Sequence, residues 1–508
     1  MKLVVLIIGA AWISIFTVSA QKITMYSTTA TERWVVKKYS LNEPVTREVD
    51  YQIYSDSLLQ EITGFGGTFN EKGWDALLHL TQEGRERVMK SLFAEDGVHF
   101  SLGRTPVACS DYSFGYYSYN DVKDDYSMRN FSIDRDRFIL IPYIKEALKL
   151  RPDLKLWASP WTPPAWMKVN EHYSQKSSGI EGTDIGHNRL DPARNVLGNV
   201  TGFKMQQGYL QAYALYFSKY IQAYSDQGIH ISMIMPQNEI AWTPCWPSCT
   251  WRAEDLAIFV TQYLGPQLQK DSLDTEIWMG TVNYPNPDYI RTFLKQKNVP
   301  DYIKGIGVQW SGMRALPAIH NEYPTYGYMQ TENMCGNSEN DWSALERTWS
   351  AVVHCFNNGA GSYMYWNMVL DETCKSWWDW AQNAMVIVDR NTGNVRYTDE
   401  YYLMKHLSCF VQPGSHLLKV TDRQNMLAFR THDNKVVVVI YNPVEDEKEY
   451  CLKIGDKVVC VLLKGKSVNT AGGNLAASNI RNLECPSYEV YLIDYGCGKF
   501  NKKVHIME

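Results

Sequence analysis

Residues 231–239 are Ile-Ser-Met-Ile-Met-Pro-Gln-Asn-Glu, a short apolar run that ends in an amide and a carboxylate. Before this run, residues 207–227 carry apolar and aromatic side chains at spacings of three and four, as expected for the buried face of a helix. After it, residues 253–268 show the same periodicity. A buried strand flanked by two helices is the repeating unit of parallel α/β folds.

Seven further runs of this kind lie between residues 60 and 370. They are residues 62–66, 98–106, 154–161, 275–281, 303–310, 325–332 and 361–367. Each run is apolar on both faces, as expected for a strand between a barrel interior and an outer layer of helices. Eight such units predict a (β/α)₈ TIM barrel, an α/β fold. An open doubly wound sheet is the alternative, but Gly64-Phe65-Gly66-Gly67 lacks the glycine spacing of a dinucleotide-binding turn.

The hydrophobic pattern of the sequence changes after residue 405. Alternating or β-branched runs separated by turn residues are found at 426–431, 435–441, 449–454, 458–464 and 488–495. This pattern is typical of an all-β domain. We therefore predict a catalytic barrel at 61–405 and a C-terminal β-sandwich at 406–508, which strands within residues 21–60 join.

The first twenty residues resemble an export signal. Lys2 precedes an apolar run, and Val18-Ser19-Ala20 form a small-residue cleavage site before Gln21. The apolar run is short for a membrane span, which needs about 20 residues, and no later stretch of the sequence reaches that length. The mature chain is therefore predicted to be secreted or periplasmic and to lack an integral membrane segment.

Composition argues against nucleic acid as a partner. The formal net charge is 50 − 55 = −5, and no basic stripe is present that could neutralise phosphates. No metal ion or cofactor is predicted. The chain does contain 17 Trp and 33 Tyr, several of them in segments predicted to be loops.

Eleven cysteines in an exported chain leave at least one thiol unpaired. Cys245 and Cys249 lie four residues apart in a loop, and Cys451 and Cys460 flank a predicted hairpin. Both pairs are candidate disulfides. A zinc site at Cys245 and Cys249 is not favoured, because no histidine lies nearby in the sequence.

The polar residues at the ends of the predicted strands are candidates for the active site, because TIM-barrel enzymes place their sites at this face. They are Arg104, Trp161, Asn238, Glu239, Gln309, Trp310, Glu332, Trp366 and Asn367. Sugars offer C–H faces that stack on indole rings and hydroxyl groups that bind amides and charges. This combination therefore favours a carbohydrate substrate over a phosphate ester or a peptide.

Glu239 and Glu332 are the candidate catalytic residues. A single glutamate is usually a solvated surface residue, but each of these ends an apolar strand, where desolvation is costly. Glycoside cleavage needs two carboxyl groups, one to protonate the leaving oxygen and one to attack or to direct water. The fourth and seventh strands stand on different sides of the barrel mouth, so the two carboxyl groups can face each other across a bond.

Five segments together resemble glycoside hydrolase family 30, which contains glucosylceramidases and microbial endo-β-1,6-glucanases. The segments are Gly64-Phe65-Gly66-Gly67, residues 104–111, Ala158-Ser159-Pro160-Trp161-Thr162-Pro163-Pro164, Asn238-Glu239 and Thr331-Glu332. The resemblance covers nearly the whole mature chain, and the segment at 158–164 is its most specific part.

The resemblance implies hydrolysis with retention at the anomeric carbon. By position, Glu239 would be the acid/base, Glu332 the nucleophile, and Asn238 a ligand of the sugar 2-hydroxyl. The residues expected to bind the sugar are Arg104, Asp111, Trp161, Trp310 and Trp366. Arg104 could also support the barrel through an ion pair while it orients the nucleophile.

The sequence departs from the usual family pattern at two places. Ile240 follows Glu239, where most relatives carry proline, and residues 372–380 contain three tryptophans but lack an Asn-Trp pair associated with animal glucosylceramidases. These departures favour a glucan substrate, with an endo-β-1,6-glucanase-like activity as the leading prediction, and a likeness to bacterial glucanases. A glucosylceramidase-like exo-β-glucosidase and an inactive carbohydrate-binding barrel remain the alternatives. The insertion at 171–208 is either a lid or a wall of the site.

Overall fold

The computed structural model describes residues 22–40, 48–178 and 188–473. The strands are β1 Lys22–Thr28, β2 Val35–Ser40, β3 Tyr51–Ile62, β4 Gly64–Thr68, β5 Leu102–Pro106, β6 Lys155–Ser159, β7 Ile231–Ile234, β8 Glu276–Val282, β9 Ile303–Gln309, β10 Gly327–Glu332, β11 Ser362–Asn367, β12 Val369–Asp371, β13 Val386–Val388, β14 Val395–Tyr397, β15 Ser415–Val420, β16 Met426–Arg430, β17 Val436–Asn442, β18 Lys448–Ile454, β19 Lys457–Leu463 and β20 Ser467–Gly473. The helices are α1 Glu71–Leu78, α2 Gln82–Phe93, α3 Asp134–Phe138, α4 Leu140–Leu150, α5 Gln207–Ser225, α6 Ala253–Phe259, α7 Gly265–Lys270, α8 Asp288–Leu294, α9 Val299–Tyr302, α10 Leu316–Glu322, α11 Trp342–Asn357 and α12 Asp399–Ser408. None of these helices is long and apolar enough to cross a membrane.

Strands β4 to β11 run parallel and close into an eight-stranded barrel, in which β11 pairs with β4. Closure confirms the predicted TIM barrel and excludes the open doubly wound sheet. Neighbouring strand ends meet in register: Thr68 lies opposite Arg104, and Pro106 lies opposite Ser159. The strand-end side chains therefore converge on one face of the barrel.

Strand β7 ends at Ile234, five residues before the predicted end at Glu239. Pro236 has no N–H group to donate to a ladder, so regular pairing stops there. The chain nevertheless continues between its neighbours, because Asn238 N donates to Pro160 O at 2.7 Å and Thr281 N donates to Gln237 O at 2.7 Å. Glu239 consequently still reaches the barrel mouth.

The remaining long strands form a nine-stranded sheet in the order β19-β18-β3-β15-β16-β17-β20-β1-β2. Strands from both ends of the described chain are neighbours, since β1 pairs with β20 and β3 pairs with β15 and β18. The side chains that face inward form a separate apolar cluster, which includes Ile23, Met25, Ile53, Val438 and Leu452. The predicted strand at 488–495 and the predicted signal peptide lie outside the described residues.

Helix α12 connects the barrel to this sheet through a buried histidine. His406 lies 2.9 Å from the hydroxyls of both Thr28 and Thr470, through its two ring nitrogens. The helix spans residue 405, so the chain passes from the barrel to the sheet through a helix that contacts both.

One predicted disulfide is present and the other is not. Cys451 and Cys460 are bonded and lie opposite each other on β18 and β19. The prediction for Cys245 and Cys249 is wrong, because both are free thiols. Cys249 is fully buried, with its sulfur 3.8 Å from Thr250 O, whereas Cys245 is partly exposed.

Candidate active site

Glu332, at the end of β10, is held by two charge-stabilising donors. Arg104 Nη1 donates to Oε2 at 2.7 Å, and Trp310 Nε1 donates to Oε1 at 2.8 Å. The Arg104 side chain is 0% exposed. In such a buried pair the loss of one partner typically costs about 3–5 kcal/mol, because the other charge is left uncompensated. The geometry therefore fixes an ionised carboxylate at this position.

Three indole rings surround the Arg104 guanidinium. Its central carbon lies 4.4 Å from the ring centroid of Trp161, 4.8 Å from that of Trp157 and 5.5 Å from that of Trp366. Trp161 and Trp366 also stack on each other at 5.1 Å. Cation–π contacts of this kind stabilise a desolvated guanidinium. Arg104 thus acts on the site through Glu332 and the rings, as an ion pair that supports the barrel and orients this carboxylate.

The amide of Asn238 has a fixed orientation. Its Oδ1 accepts from Arg104 Nη2 at 2.6 Å, from Thr281 Oγ1 at 3.1 Å and from Gln309 Nε2 at 3.2 Å. Because three donors meet the oxygen, the amide nitrogen must point elsewhere. An amide N–H₂ held in this way can donate to a hydroxyl group of a substrate.

Glu239 follows Asn238 with a left-handed backbone, at φ 52°. This conformation is uncommon for residues other than glycine and is found preferentially at functional positions. It is held by Glu239 N, which donates to Thr281 Oγ1 at 3.1 Å. The carboxyl group accepts a long bond of 3.4 Å from Gln309 Nε2. Within the described residues no cation is recorded in hydrogen-bonding contact with it, unlike Glu332.

The two glutamates therefore differ in their electrostatic surroundings. Burial, followed by the charges of the nearby Glu332 and Asp111 carboxyls, raises the pKa of Glu239 to about 8. Burial also raises the pKa of Glu332, but Arg104 and the Trp310 indole act in the opposite direction. Near neutral pH Glu239 is accordingly the proton-bearing group and Glu332 the charged one. Such a split between paired carboxyls is what acid and nucleophile roles require.

Asp111 is a third buried carboxyl in the same cluster. Burial, followed by the charge of Glu332, raises its pKa to about 8, and its own backbone N–H, the Arg104 charge and a hydrogen bond from Trp161 oppose this effect. Asp111 Oδ1 and Trp366 Nε1 are buried and have no hydrogen-bond partner among the described residues. Buried polar atoms are normally satisfied, so these two atoms are suited to bind the hydroxyl groups of a ligand.

The structure brings together the eight residues for which the sequence predicted a catalytic or sugar-binding role. They are Arg104, Asp111, Trp161, Asn238, Glu239, Trp310, Glu332 and Trp366. Sequence reasoning missed two residues that hold this set in place, namely Ser159 and Thr281. Both lie at or near a strand end, so position alone could have identified them. The Ser159 hydroxyl accepts from Arg104 Nη2 at 2.9 Å, a contact that no local pattern indicates.

The described parts of the insertion at 171–208 form a wall beside the loop that follows Glu239. Gly202 N donates to Thr250 O at 2.8 Å, and Thr250 Oγ1 donates to Val200 O at 2.7 Å. Asn188 Nδ2 donates to Cys245 O at 2.8 Å.

Among the described residues, no group of three or more His, Cys, Asp or Glu side chains is arranged to hold a metal ion.

Comparisons with known proteins agree with this geometry. Residues 62–411 match the family model "Glycosyl hydrolase family 30 TIM-barrel domain", and residues 414–471 match "Glycosyl hydrolase family 30 beta sandwich domain". An inferred glucosylceramidase of Caenorhabditis elegans is 28% identical over 404 residues, which are 75% of this chain and 72% of that protein. The endo-1,6-β-D-glucanase of Neurospora crassa is 26% identical over 418 residues, which are 76% of this chain and 80% of that protein.

Solved structures show the same architecture. A structure of an endo-β1,6-glucanase superposes with a TM-score of 0.74 at 25% identity and covers 89% of this chain and 99% of its own. The SrfJ protein of Salmonella typhimurium superposes with a TM-score of 0.78 at 23% identity, with the same coverage. The family models together span most of the chain, and the relatives named for an activity hydrolyse glycosidic bonds. This chain is therefore a glycoside hydrolase that belongs to glycosyl hydrolase family 30.

Proposed function

We propose that the chain hydrolyses β-1,6-linked glucan by a retaining double displacement. Glu332 attacks the anomeric carbon and forms a glycosyl-enzyme intermediate, while Glu239 protonates the leaving oxygen and later removes a proton from water. The observation that carries the mechanism is the contrast between the two carboxyls: Glu332 is bonded to Arg104, whereas Glu239 has a raised pKa.

Support for a glucan comes from two relatives named as endo-1,6-β-D-glucanases, those of Neurospora crassa and Aspergillus fumigatus, and from the superposed glucanase structure. A second candidate is a β-glucosidase that removes glucose from a glycolipid. It is favoured by the mouse lysosomal acid glucosylceramidase, which is 26% identical over 76% of each chain.

The reaction is expected to release product in the β configuration first. We suggest incubating the enzyme with 1,6-linked gluco-oligosaccharides, with 1,3- and 1,4-linked controls and with glucosylceramide in micelles, and following the anomeric protons by NMR. Rapid turnover of the 1,6-linked series with initial β-glucose or β-linked fragments supports the proposal. Initial α product would exclude the retaining mechanism, and turnover of glucosylceramide alone would favour the second candidate.

The pH dependence of kcat/KM should report the protonation of the Glu239 carboxyl group. Its pKa of about 8 means that the acid is lost as the pH rises through this value. For gluco-oligosaccharides kcat/KM should therefore fall about tenfold per pH unit on the alkaline side. For 2,4-dinitrophenyl β-glucoside, whose leaving group needs no proton, this alkaline limb should be absent. An identical limb for both substrates would assign it to another carboxyl, with Asp111 as the first candidate.

A further inference from the structure

A cavity of about 560 Å³ opens beside the backbone that follows Glu239. Three segments of the chain form its walls: the end of the insertion, the loop after β7 with the start of α6, and the loop after β8 with α8. The lining residues that matter for its chemistry are Asn199, Trp242, Thr243, Glu254, Tyr284 and Asn286. Neither Glu332 nor the Trp161–Trp366 stack lines it, so it is distinct from the sugar-binding cluster described above.

The position of the cavity identifies which part of a substrate it can receive. Trp242 N donates to Glu239 O at 3.2 Å, and Ala241 N donates to Asn283 Oδ1 at 3.4 Å, so the wall is continuous with the acid/base backbone. A general acid lies next to the oxygen that it protonates. The group attached to that oxygen, which is the leaving group, therefore extends on the Glu239 side, and this cavity borders the backbone that follows Glu239.

Two large aromatic side chains at the cavity are unusually exposed. Trp242 is 54% exposed and Tyr284 is 47% exposed. Exposed rings of this size commonly mark a binding surface, because an aromatic ring offers a large rigid contact area. Beneath them the floor is rigid: Tyr289 OH donates to Trp251 O at 2.6 Å, and Trp251 N donates to Ile240 O at 3.0 Å. The rings are thus presented on a fixed base.

The other lining side chains decide between a sugar and a lipid chain. Asn199, Thr243, Asn286 and Glu254, whose carboxylate also lies 3.8 Å from Arg252 Nη2, line the cavity together with the rings and can bind hydroxyl groups. A sugar presents C–H faces to rings and hydroxyls to such groups. The alkyl chains of a lipid would leave these polar groups desolvated and unpaired, at a cost.

We propose that this cavity is the leaving-group subsite and that Trp242 and Tyr284 make it selective for a sugar leaving group. The inference rests on the proposed function, because it assumes that Glu239 is the acid/base. It goes beyond that function by naming the residues that select the leaving group.

The test compares substrates that share a glucosyl group and differ in the leaving group: 1,6-linked glucotriose, glucosylceramide in micelles and β-glucosyl fluoride. Fluoride is a single atom and cannot reach the cavity. Trp242→Ala and Tyr284→Ala should each lower kcat/KM for the trisaccharide about tenfold, as expected when a stacked aromatic side chain is truncated. Turnover of β-glucosyl fluoride should stay within about twofold of the parent enzyme.

Two control variants sharpen this test. Trp242→Phe retains a ring and should recover most of the trisaccharide activity. Phe138→Ala removes a side chain that is 76% exposed and does not line the cavity, so it should leave the turnover of both substrates unchanged. Equal losses on trisaccharide and fluoride, unchanged kinetics on both, or a loss confined to glucosylceramide would each overturn the inference.

Transfer experiments separate this inference from the proposed linkage. Glucosyl fluoride forms the glycosyl-enzyme intermediate, and glucose disaccharides of each linkage are then added as acceptors. If the parent enzyme transfers glucose to any of these acceptors and the transfer rate is lower in Trp242→Ala and Tyr284→Ala, the result supports a sugar subsite. This holds even if the parent enzyme cleaves no 1,6-linked glucan. Transfer that is undetectable in the parent enzyme, or unchanged in both variants, would overturn the subsite and leave the proposed linkage to the NMR assay.

Discussion

Replacing Glu332 with glutamine is expected to reduce hydrolysis of every substrate by about 10⁴-fold or more, the usual size of the loss when a nucleophile is removed. An amide cannot form the covalent glycosyl intermediate, whatever the leaving group. Rates should be measured on gluco-oligosaccharides and on 2,4-dinitrophenyl β-glucoside. Glu322→Gln is the matched control, since it makes the same substitution on α10, where Glu322 pairs with Arg291 at the surface.

A rescue experiment distinguishes loss of the nucleophile from loss of the fold. Glu332→Gly leaves space in front of the anomeric carbon, so azide should restore turnover of the dinitrophenyl substrate and yield an α-glucosyl azide. Arg104 loses its ionic partner in either variant, so thermal unfolding should be recorded in parallel to measure the stability of each variant. Glu332→Gln with more than about a few per cent of the parent rate would contradict the assignment.

Replacing Glu239 with alanine should give a loss that depends on the leaving group. For gluco-oligosaccharides the rate should fall about 10²–10⁴-fold, the usual contribution of a general acid. Formation of the intermediate from 2,4-dinitrophenyl β-glucoside should change little, since dinitrophenolate departs without a proton. Burst kinetics on this substrate would measure that step directly.

Azide again supplies a diagnostic product. In Glu239→Ala the proposed nucleophile Glu332 is intact, so azide should intercept the intermediate and give a β-glucosyl azide, the opposite anomer to that from Glu332→Gly. Equal losses on both substrate classes would mean that Glu239 is not the proton donor. Asp111 would then be the next carboxyl to test, because Glu71 is already held by Arg135 through two bonds of 2.8 Å.

The barrel could be predicted from sequence because its signal is repeated. Eight apolar runs with helical stretches between them leave few alternatives, and a shift of a few residues at any strand end does not alter the topology. Strand β7 illustrates the limit. The run predicted as this strand continues to Glu239, yet Pro236 ends the ladder at Ile234, and backbone bonds to Pro160, just after β6, and to Thr281 on β8 hold the following residues.

The candidate site was predictable only in part, for a similar reason. Strand-end position identified the two glutamates and Asn238, whose chemistry is visible in the residue type. The partners that fix them, such as Thr281 on Asn238 Oδ1, lie far apart in the chain and show no local pattern. Cys245 and Cys249 are a further example, because their short spacing permits a bridge, yet both are free thiols and the spacing does not reveal that Cys249 is buried. Export of the chain stays a prediction.

The pairing of β1 with β20 has a consequence for how the protein is made. Thr24 lies opposite Gly472, so the first described strand has no neighbour on that side until almost the whole described chain has left the ribosome. The same delay applies to β3, which needs β15 and β18. Contacts of such high sequence separation form slowly, and strands that wait with unpaired edges are prone to aggregate. Recombinant production should therefore depend on slow synthesis and chaperone supply, and removal of β1 or β20 should impair folding more than the distance of these strands from Glu239 and Glu332 suggests.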